Sequence, residues 1–176
     1  MKKFITFIIA IGFIAFLSAC STSAPESPGA SSKASVAASV APVVSKPLTA
    51  TDVTMVLVGA ITTVKNTAVY TEETDPNKQL GRPNGYISKT AFSDSRVDEL
   101  VVEGSEPDST ERGGSVEVYP TAEGAKARSA YIQSLLGGVL GTEYHFLNGG
   151  ILVRVTGNIT PSESTVYKDV VSGLKS

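Results

Sequence analysis

Cys20 is the residue with the best-defined chemistry, and it is the only cysteine in the chain. It follows Leu17-Ser18-Ala19, a branched apolar residue and two small ones, which is the pattern of a lipobox. In a lipobox the cysteine sulfur receives diacylglycerol, and signal peptidase then cuts before the acylated residue. The chain offers no second cysteine as a disulfide or redox partner. The pattern therefore predicts lipidation of Cys20, which becomes the mature N-terminus.

The sequence contains few residues that could bind a metal ion or act as a catalytic nucleophile. The chain has one histidine, His145, and no cysteine apart from Cys20, so the usual nitrogen and sulfur ligands of zinc are missing. His145 lies between Tyr144 and Phe146 in a predicted strand, where we expect a strand-face side chain and not a catalytic base. Neither a Gly-x-Ser-x-Gly elbow nor a phosphate-binding glycine loop is present. We predict no catalytic residues, no metal ligands and no cofactor.

Residues 71–85 form a predicted loop rich in side-chain oxygens, which is a first candidate for a binding site, with calcium as the possible ligand. Carboxylate and amide oxygens are the ligands that calcium prefers, but their spacing differs from that of the twelve-residue calcium loop. The loop is also dense in turn-forming residues, which favours a rigid connection. The candidate interaction or structural residues are Asp75, Asn77, Gly81 and Arg82.

Arg82 has two interpretations within this loop. A guanidinium can bind a carboxylate through two parallel hydrogen bonds, so we expect Arg82 to close the loop by pairing with Glu72, Glu73 or Asp75. The alternative is that Arg82 projects outward and binds an anionic ligand of the wall.

Acidic side chains between residues 93 and 114 form the second alternative site. Paired carboxylates catalyse glycoside hydrolysis, which would suit a wall environment, but carboxylates on a polar loop are usually only solvated. We expect a solvated stretch and keep a carboxylate-based hydrolase as an alternative function. The residues are Asp94, Asp98, Glu99, Glu103, Glu106, Asp108 and Glu111.

Two segments precede the part of the chain that can build a core. Met1-Lys2-Lys3 is followed by an apolar run from Phe4 to Leu17, fourteen residues long. This is shorter than the roughly 20 residues that span a bilayer, so residues 1–19 are predicted to be a secretory signal peptide. Residues 20–47 comprise the lipidated cysteine and a Ser/Ala/Pro linker that we predict to be disordered. Residues 48–176 then form one domain.

The charge of the mature chain limits its partners. Removing Lys2 and Lys3 with the signal leaves thirteen basic and seventeen acidic residues, a formal charge of −4. A mildly acidic domain without basic clusters argues against nucleic acid and against docking on anionic lipid. We therefore expect a membrane contact through the diacylglycerol on Cys20, and an envelope protein or wall component as a further partner.

Residues 48–176 show helix and strand patterns in the order αββ–β–α–ββ–α. Capping boxes at Thr49–Asp52 and Thr160–Glu163 open the first and last helices, and a further helix is predicted over Thr121–Leu136. The first helix is expected to bury Val53, Val56, Leu57, Ala60 and Ile61. The predicted strands are Val64–Glu72, Tyr86–Phe92, Ser115–Tyr119, Glu143–Leu147 and Ile151–Thr156. The predicted class is α+β: a single domain with an antiparallel sheet of about five strands, packed on one side by two or three helices.

Three segments carry a resemblance to a known family: Asp75-Pro76-Asn77 with Leu80-Gly81-Arg82-Pro83, then Gly114–Tyr119, then Ala125–Arg128. In these segments the chain resembles a family of small lipoproteins from Gram-positive bacteria and some of their phages. In that family a D-P-N-x-x-L-G-R-P segment precedes strands, and a G-x-V-E-V strand leads into a helix. The resemblance covers about Thr51 to the C-terminus. It implies a single extracytoplasmic domain and brings no activity with it.

The expected function is that of a membrane-anchored extracytoplasmic lipoprotein with a non-catalytic binding or interaction module. The missing catalytic residues and the long spacer favour this reading. The alternatives are the wall hydrolase and a phage-derived lipoprotein that blocks superinfection.

Overall fold

The computed structural model describes residues 46–136 and 142–175, so Cys20 and nearly all of the predicted linker lie outside the described residues. The helices and strands follow in the predicted order, with a short 3-10 turn at Thr110–Arg112 before the third strand. The helices are α1 Ala50–Ala60, α2 Ala122–Leu136 and α3 Pro161–Ser172. The strands are β1 Val64–Val69, β2 Ser88–Asp94, β3 Gly113–Val118, β4 Glu143–Asn148 and β5 Ile151–Thr156.

The five strands form one antiparallel sheet in the order β1-β2-β3-β5-β4. β4 and β5 make a hairpin, and β5 then pairs with β3, where Val116 lies opposite Val153. β1 is an edge strand, and its register with β2 shifts between Asn66 and Ala68. The α+β class and the five antiparallel strands are confirmed.

The starts of α1 and α3 are set by the predicted capping boxes. The Thr49 hydroxyl accepts from the backbone N–H of Asp52, and the Asp52 carboxylate accepts from the N–H of Thr49. Thr160 and Glu163 make the same reciprocal pair at α3, where Pro161 is the first helical residue. Each pair satisfies two N–H groups that a helix start would otherwise leave without acceptors.

α1 and α3 cover the first face of the sheet. The Phe92 and Tyr167 rings stack with centroids 5.8 Å apart, and Leu57 packs into the same core. The expected buried face of α1 is wrong at Val56 and Ala60, which are exposed; Thr54 is buried in their place. The buried hydroxyl of Thr54 costs little, since it shares a 2.6 Å hydrogen bond with the Thr90 hydroxyl.

α2 lies on the opposite face, so the expectation that all helices pack on one side is wrong. Its buried residues Ala125, Ser129 and Ile132 face β4 and β5. Ala125 joins a second apolar cluster with Leu152 and Tyr86. α2 covers only part of this second face, and over the rest of it the described chain places the loop between β1 and β2. Both faces of the sheet are therefore buried, which leaves the polar side chains of the second face out of bulk solvent.

Candidate functional site

Charged side chains cross the second face of the sheet from strand to strand. Lys89 of β2 lies opposite Glu117 of β3, and Arg154 of β5 lies between Ser115 and His145 of its two neighbouring strands. Strand residues two apart share a face, so these side chains all lie beneath α2 and the loop. Lys89 and Glu117 are buried. Buried charges are costly unless they are paired, and each of these has a partner.

Asp75, the first predicted loop residue, anchors the loop to the sheet. Its carboxylate is completely buried and accepts from five donors. The ion pair with Lys89 Nζ measures 3.0 Å, with both side chains at most 5% exposed. The donors are the backbone N–H groups of Asn77, Gln79 and Leu80, the Tyr86 hydroxyl and Lys89 Nζ. Asp75 thus folds the loop around its own side chain and fixes it to β2.

Burial and hydrogen bonding act in opposite directions on this pair. Burial alone would raise the pKa of Asp75, but hydrogen bonds from Tyr86, the loop backbone and Lys89 outweigh it and hold that pKa well below its usual range. For Lys89 burial is the stronger effect, and its pKa is lowered despite the neighbouring Asp75. Asp75 is therefore a fixed anion at neutral pH.

Glu117 is the centre of the network on β3. Its Oε2 accepts from the Tyr119 hydroxyl at 2.9 Å and from Arg128 Nε at 3.2 Å, while its Oε1 accepts from Arg154 Nη1 at 3.3 Å. Arg154 also binds Glu143 through Nε and Nη2, at 2.8 and 2.7 Å. Since Arg128 belongs to α2 and Arg154 to β5, Glu117 ties the helix to the middle of the sheet.

Ser129, His145 and Glu143 have the hydrogen-bond order of a nucleophile triad. Ser129 Oγ lies 2.8 Å from His145 Nδ1, and His145 Nε2 lies 3.0 Å from Glu143 Oε2. A nucleophile needs a path for its substrate, whereas Ser129 is 7% exposed and the His145 side chain 2% exposed. Glu143 is also held by Arg154. This arrangement connects α2 to β4, and His145 lies on the predicted strand.

The other predicted loop residues have different surroundings. The Asn77 amide faces Lys89 Nζ and Arg128 Nη2, which can only donate, so its oxygen points to them at 3.1 and 3.2 Å. Gly81 has a positive φ of 73°, and a Cβ there would meet the Glu72 carboxylate. The left-handed backbone explains the glycine, because the exposed Glu72 side chain could move away from a Cβ.

Arg82 does not close the loop. It is exposed, and within the described residues no ion pair joins it to Glu72, Glu73 or Asp75. The cation that binds Asp75 is Lys89, from the adjacent strand. The predicted pairing of Arg82 is wrong because the loop turns Asp75 inward, toward the sheet, while Arg82 faces outward.

The inward orientation of Asp75 also argues against calcium binding by this loop. Both Asp75 oxygens point at hydrogen-bond donors, which repel a cation. Across 46–136 and 142–175, no cluster of three or more His, Cys, Asp or Glu side chains is arranged to hold a metal ion.

The acidic stretch does not form one site: Asp98, Glu103 and Glu111 are exposed and outside the clefts on the second face of the sheet, and the other four are paired or lie at a rim. Asp94 binds Arg96, and hydrogen bonds from Arg96 and Tyr167 overcome its burial and lower its pKa to about 2. Glu99 pairs with Arg112. Glu106 and Asp108 line a cleft on the second face of the sheet.

This cleft, the polar cleft, has a volume of about 340 Å³. Its floor consists of Lys89, Ser115 and Arg154 from three adjacent strands, and its walls are the loop around Asn77 and the segment 106–110. A second cleft of about 350 Å³ shares Asn77 and Arg154 and runs along α2. The charged network is therefore the common floor of two adjoining clefts.

Ser115 is the unexpected member of the polar cleft. Its side chain is 2% exposed, and its hydroxyl has no hydrogen-bond partner among the described residues. A buried hydroxyl without a partner costs roughly 1–3 kcal/mol, so each such group calls for an explanation. Ser115 lines the cleft, so its missing partner can come from a molecule on that side, water included.

A larger groove of about 690 Å³ lies between the loop and the start of α2, with Tyr119, Arg128 and Tyr131 in its lining. Arg128 and the Tyr119 hydroxyl already bind Glu117, and neither of the buried hydroxyls that lack a partner among the described residues, those of Thr63 and Ser115, lines this groove.

No family model, curated protein or solved structure matches this chain. The family resemblance seen in the sequence therefore stays a prediction. Each helix within 46–136 and 142–175 is too short or too polar to cross a bilayer.

Sequence reasoning missed Lys89, Ser115, Glu117 and Arg154 as site residues. Their alternation with apolar neighbours was compatible with a solvent-facing side of the sheet. One signal of a covered second face was available in the sequence. In Ile151–Thr156 apolar residues fall on both faces of the strand, and such a strand is buried on both faces.

Proposed function

We propose that this chain is a lipoprotein anchored through Cys20 on the extracytoplasmic face of the cell membrane. We further propose that its domain is a non-catalytic module that binds a small polar component of the envelope in the polar cleft. The lipobox supports the anchor, since two acyl chains hold a protein stably at a membrane. The linker supports reach, because a flexible chain of this length has an end-to-end distance of roughly 30 Å.

The observation that carries the binding proposal is the unpartnered Ser115 hydroxyl between two fixed cations. Lys89 and Arg154 are held in place by Asp75, Glu117 and Glu143. Ligand sites are usually pre-formed cavities with a few polar groups in fixed positions. A paired, buried network supplies that rigidity, and Ser115 supplies a donor that has no partner within residues 46–136 and 142–175.

Metabolic labelling tests the anchor. Cells given a radioactive fatty acid should label the wild-type protein and leave Cys20→Ala unlabelled. Equal labelling of the two proteins would contradict the anchor.

Thermal melting of the full chain in mild detergent tests the binding module. A small-molecule fraction of envelope extract should raise the melting temperature of the wild type and raise that of Ser115→Ala much less. Ser164→Ala is the matched control, because Ser164 is also buried but its hydroxyl donates to the Pro161 carbonyl, away from the polar cleft. If no envelope fraction stabilises the wild type, the domain is not a module for small envelope components.

A carboxylate-based wall hydrolase is the second candidate, because Glu106 and Asp108 lie in the same cleft. It predicts that the full chain releases soluble fragments from purified wall, and that Glu106→Gln abolishes the release. Binding without release favours the module.

A further inference from the structure

We infer that the polar cleft binds a small zwitterion, either an amino acid or a dipeptide. Its carboxylate would lie on the floor against Ser115, Lys89 and Arg154, and its ammonium group would lie at the rim against Glu106 and Asp108. This inference rests on the proposed function and specifies its ligand.

The floor of the cleft has more hydrogen-bond donors than acceptors. A guanidinium carries five N–H groups, and Arg154 uses three of its own on Glu143 and Glu117. Lys89 donates to Asp75 and to the Asn77 oxygen, which leaves its third N–H. Together with the Ser115 hydroxyl, these groups can donate to one acceptor placed above them. A carboxylate matches such a set, because each of its oxygens accepts two hydrogen bonds and carries negative charge.

The rim has the opposite character. Glu106 is exposed, and Asp108 is half-buried with its Oδ2 accepting from the Tyr70 hydroxyl at 2.8 Å. Two carboxylates at the mouth repel a simple anion such as phosphate and attract a cation. An ammonium group, with three donors and no acceptor, fits this end.

The Tyr70 side chain contacts both ends of the cleft. Lys89 Nζ lies over the face of the Tyr70 ring, 4.5 Å from its centroid, and the Tyr70 hydroxyl donates to Asp108 at the rim. Because the floor and the rim both contact this one side chain, the two ends of the cleft lie close enough for one short molecule to touch both. An amino acid or dipeptide is a short molecule of this kind, with a charged group at each end.

The test is calorimetric titration of the full chain in mild detergent with alanine, alanyl-alanine, N-acetylalanine, alaninamide and phosphate. We expect a zwitterion to bind at least tenfold more tightly than N-acetylalanine, which lacks the ammonium group, and alaninamide, which lacks the carboxylate. Equal binding of N-acetylalanine, or binding of phosphate, would overturn the inference in favour of a plain anion site. Equal binding of alaninamide would overturn it in favour of a cation site.

Paired variants locate the two ends of the ligand. Ser115→Ala should weaken zwitterion binding about fivefold to tenfold. Glu106→Gln should weaken it and reduce the difference between alanine and N-acetylalanine. Glu103→Gln changes an exposed acid outside the cleft lining. It should leave unchanged both the affinity for the zwitterion and the difference in affinity between alanine and N-acetylalanine. Full binding by Glu106→Gln and Asp108→Asn would remove the rim from the site.

One pair of outcomes separates this inference from the proposed function. If no probe binds and an envelope fraction still stabilises the wild type and not Ser115→Ala, the cleft binds a ligand of another class and the zwitterion is wrong. If neither probes nor fractions act, both proposals fail together, and water is the partner of the Ser115 hydroxyl.

Discussion

Replacing Asp75 by alanine should be the most damaging single change in the loop between β1 and β2. The substitution removes the acceptor of five donors, among them the Lys89 ammonium group and the Tyr86 hydroxyl. Lys89 would then be a buried cation without its counter-ion, and removing one partner of a buried ion pair costs about 3–5 kcal/mol. Because small domains have a free energy of unfolding of roughly 5–15 kcal/mol, this loss is a large part of the total.

The measurement is urea unfolding of the full chain, followed by circular dichroism because the chain has no tryptophan. Adding Lys89→Met to Asp75→Ala should recover part of the loss, since the orphaned charge is gone. Glu103→Ala is the control for a surface carboxylate and should change stability by no more than about 0.5 kcal/mol.

Two results would refute the reasoning about Asp75. One is a loss below about 1 kcal/mol for Asp75→Ala, which would mean that the loop is not held by this carboxylate. The other is full additivity of Asp75→Ala and Lys89→Met, because residues in direct contact should show a coupling energy.

Further predictions concern hydrogen bonds, pH and the exposed loop arginine. Ser129→Ala should cost about 1–3 kcal/mol because it leaves a buried ring nitrogen without a partner. Ser115→Ala should instead raise the free energy of unfolding by up to about 1–3 kcal/mol in urea melts without ligand, because it removes a buried hydroxyl that has no partner among the described residues. Hydrogen bonds that Glu143 accepts from His145 and Arg154 outweigh its burial and lower its pKa to about 2, and the pKa of Asp94 is lowered to about the same value. Both carboxylates therefore stabilise the fold above about pH 4.5, and the free energy of unfolding should fall by roughly 2–3 kcal/mol for each as the pH drops from 4.5 toward 2. Glu143→Gln should make this fall with pH less steep. If the pH profile of Glu143→Gln equals that of the wild type, the Glu143 carboxylate is not a cause of the fall. Arg82→Ala should stay within about 0.5 kcal/mol of wild type, and a larger loss would show a contact that its exposed position does not predict.

The sequence predicted the elements of this fold well where a local rule applies. The boxes at Thr49 and Thr160 start helices because the side chain and backbone that satisfy each other are three residues apart. The limits of β5, Ile151–Thr156, follow from its turn and its apolar content. Such rules need no knowledge of the rest of the chain.

The placement of α2 and the charged network could not be predicted in the same way. Ala125, Ser129 and Ile132 showed that one side of α2 is buried, but helical periodicity does not say which face of a sheet receives it. The roles of Lys89 and Arg154 depend on which face of the sheet α2 covers. On an uncovered face these side chains would be solvated, whereas under α2 and the neighbouring loop they need partners. Asp75 was predicted only as a candidate loop residue, and its ion-pair partner Lys89 comes from a strand and not from the loop.

The register shift in β1 has a consequence for copies of this protein that share a membrane. An exposed edge strand presents unpaired N–H and C=O groups to which another chain can add, and bulges and lysines interrupt such edges. β1 carries both, with Lys65 next to the irregularity between Asn66 and Ala68. If the domains are tethered as proposed, confinement to a surface raises their local concentration. An interrupted edge would then help keep crowded neighbours from joining sheet to sheet.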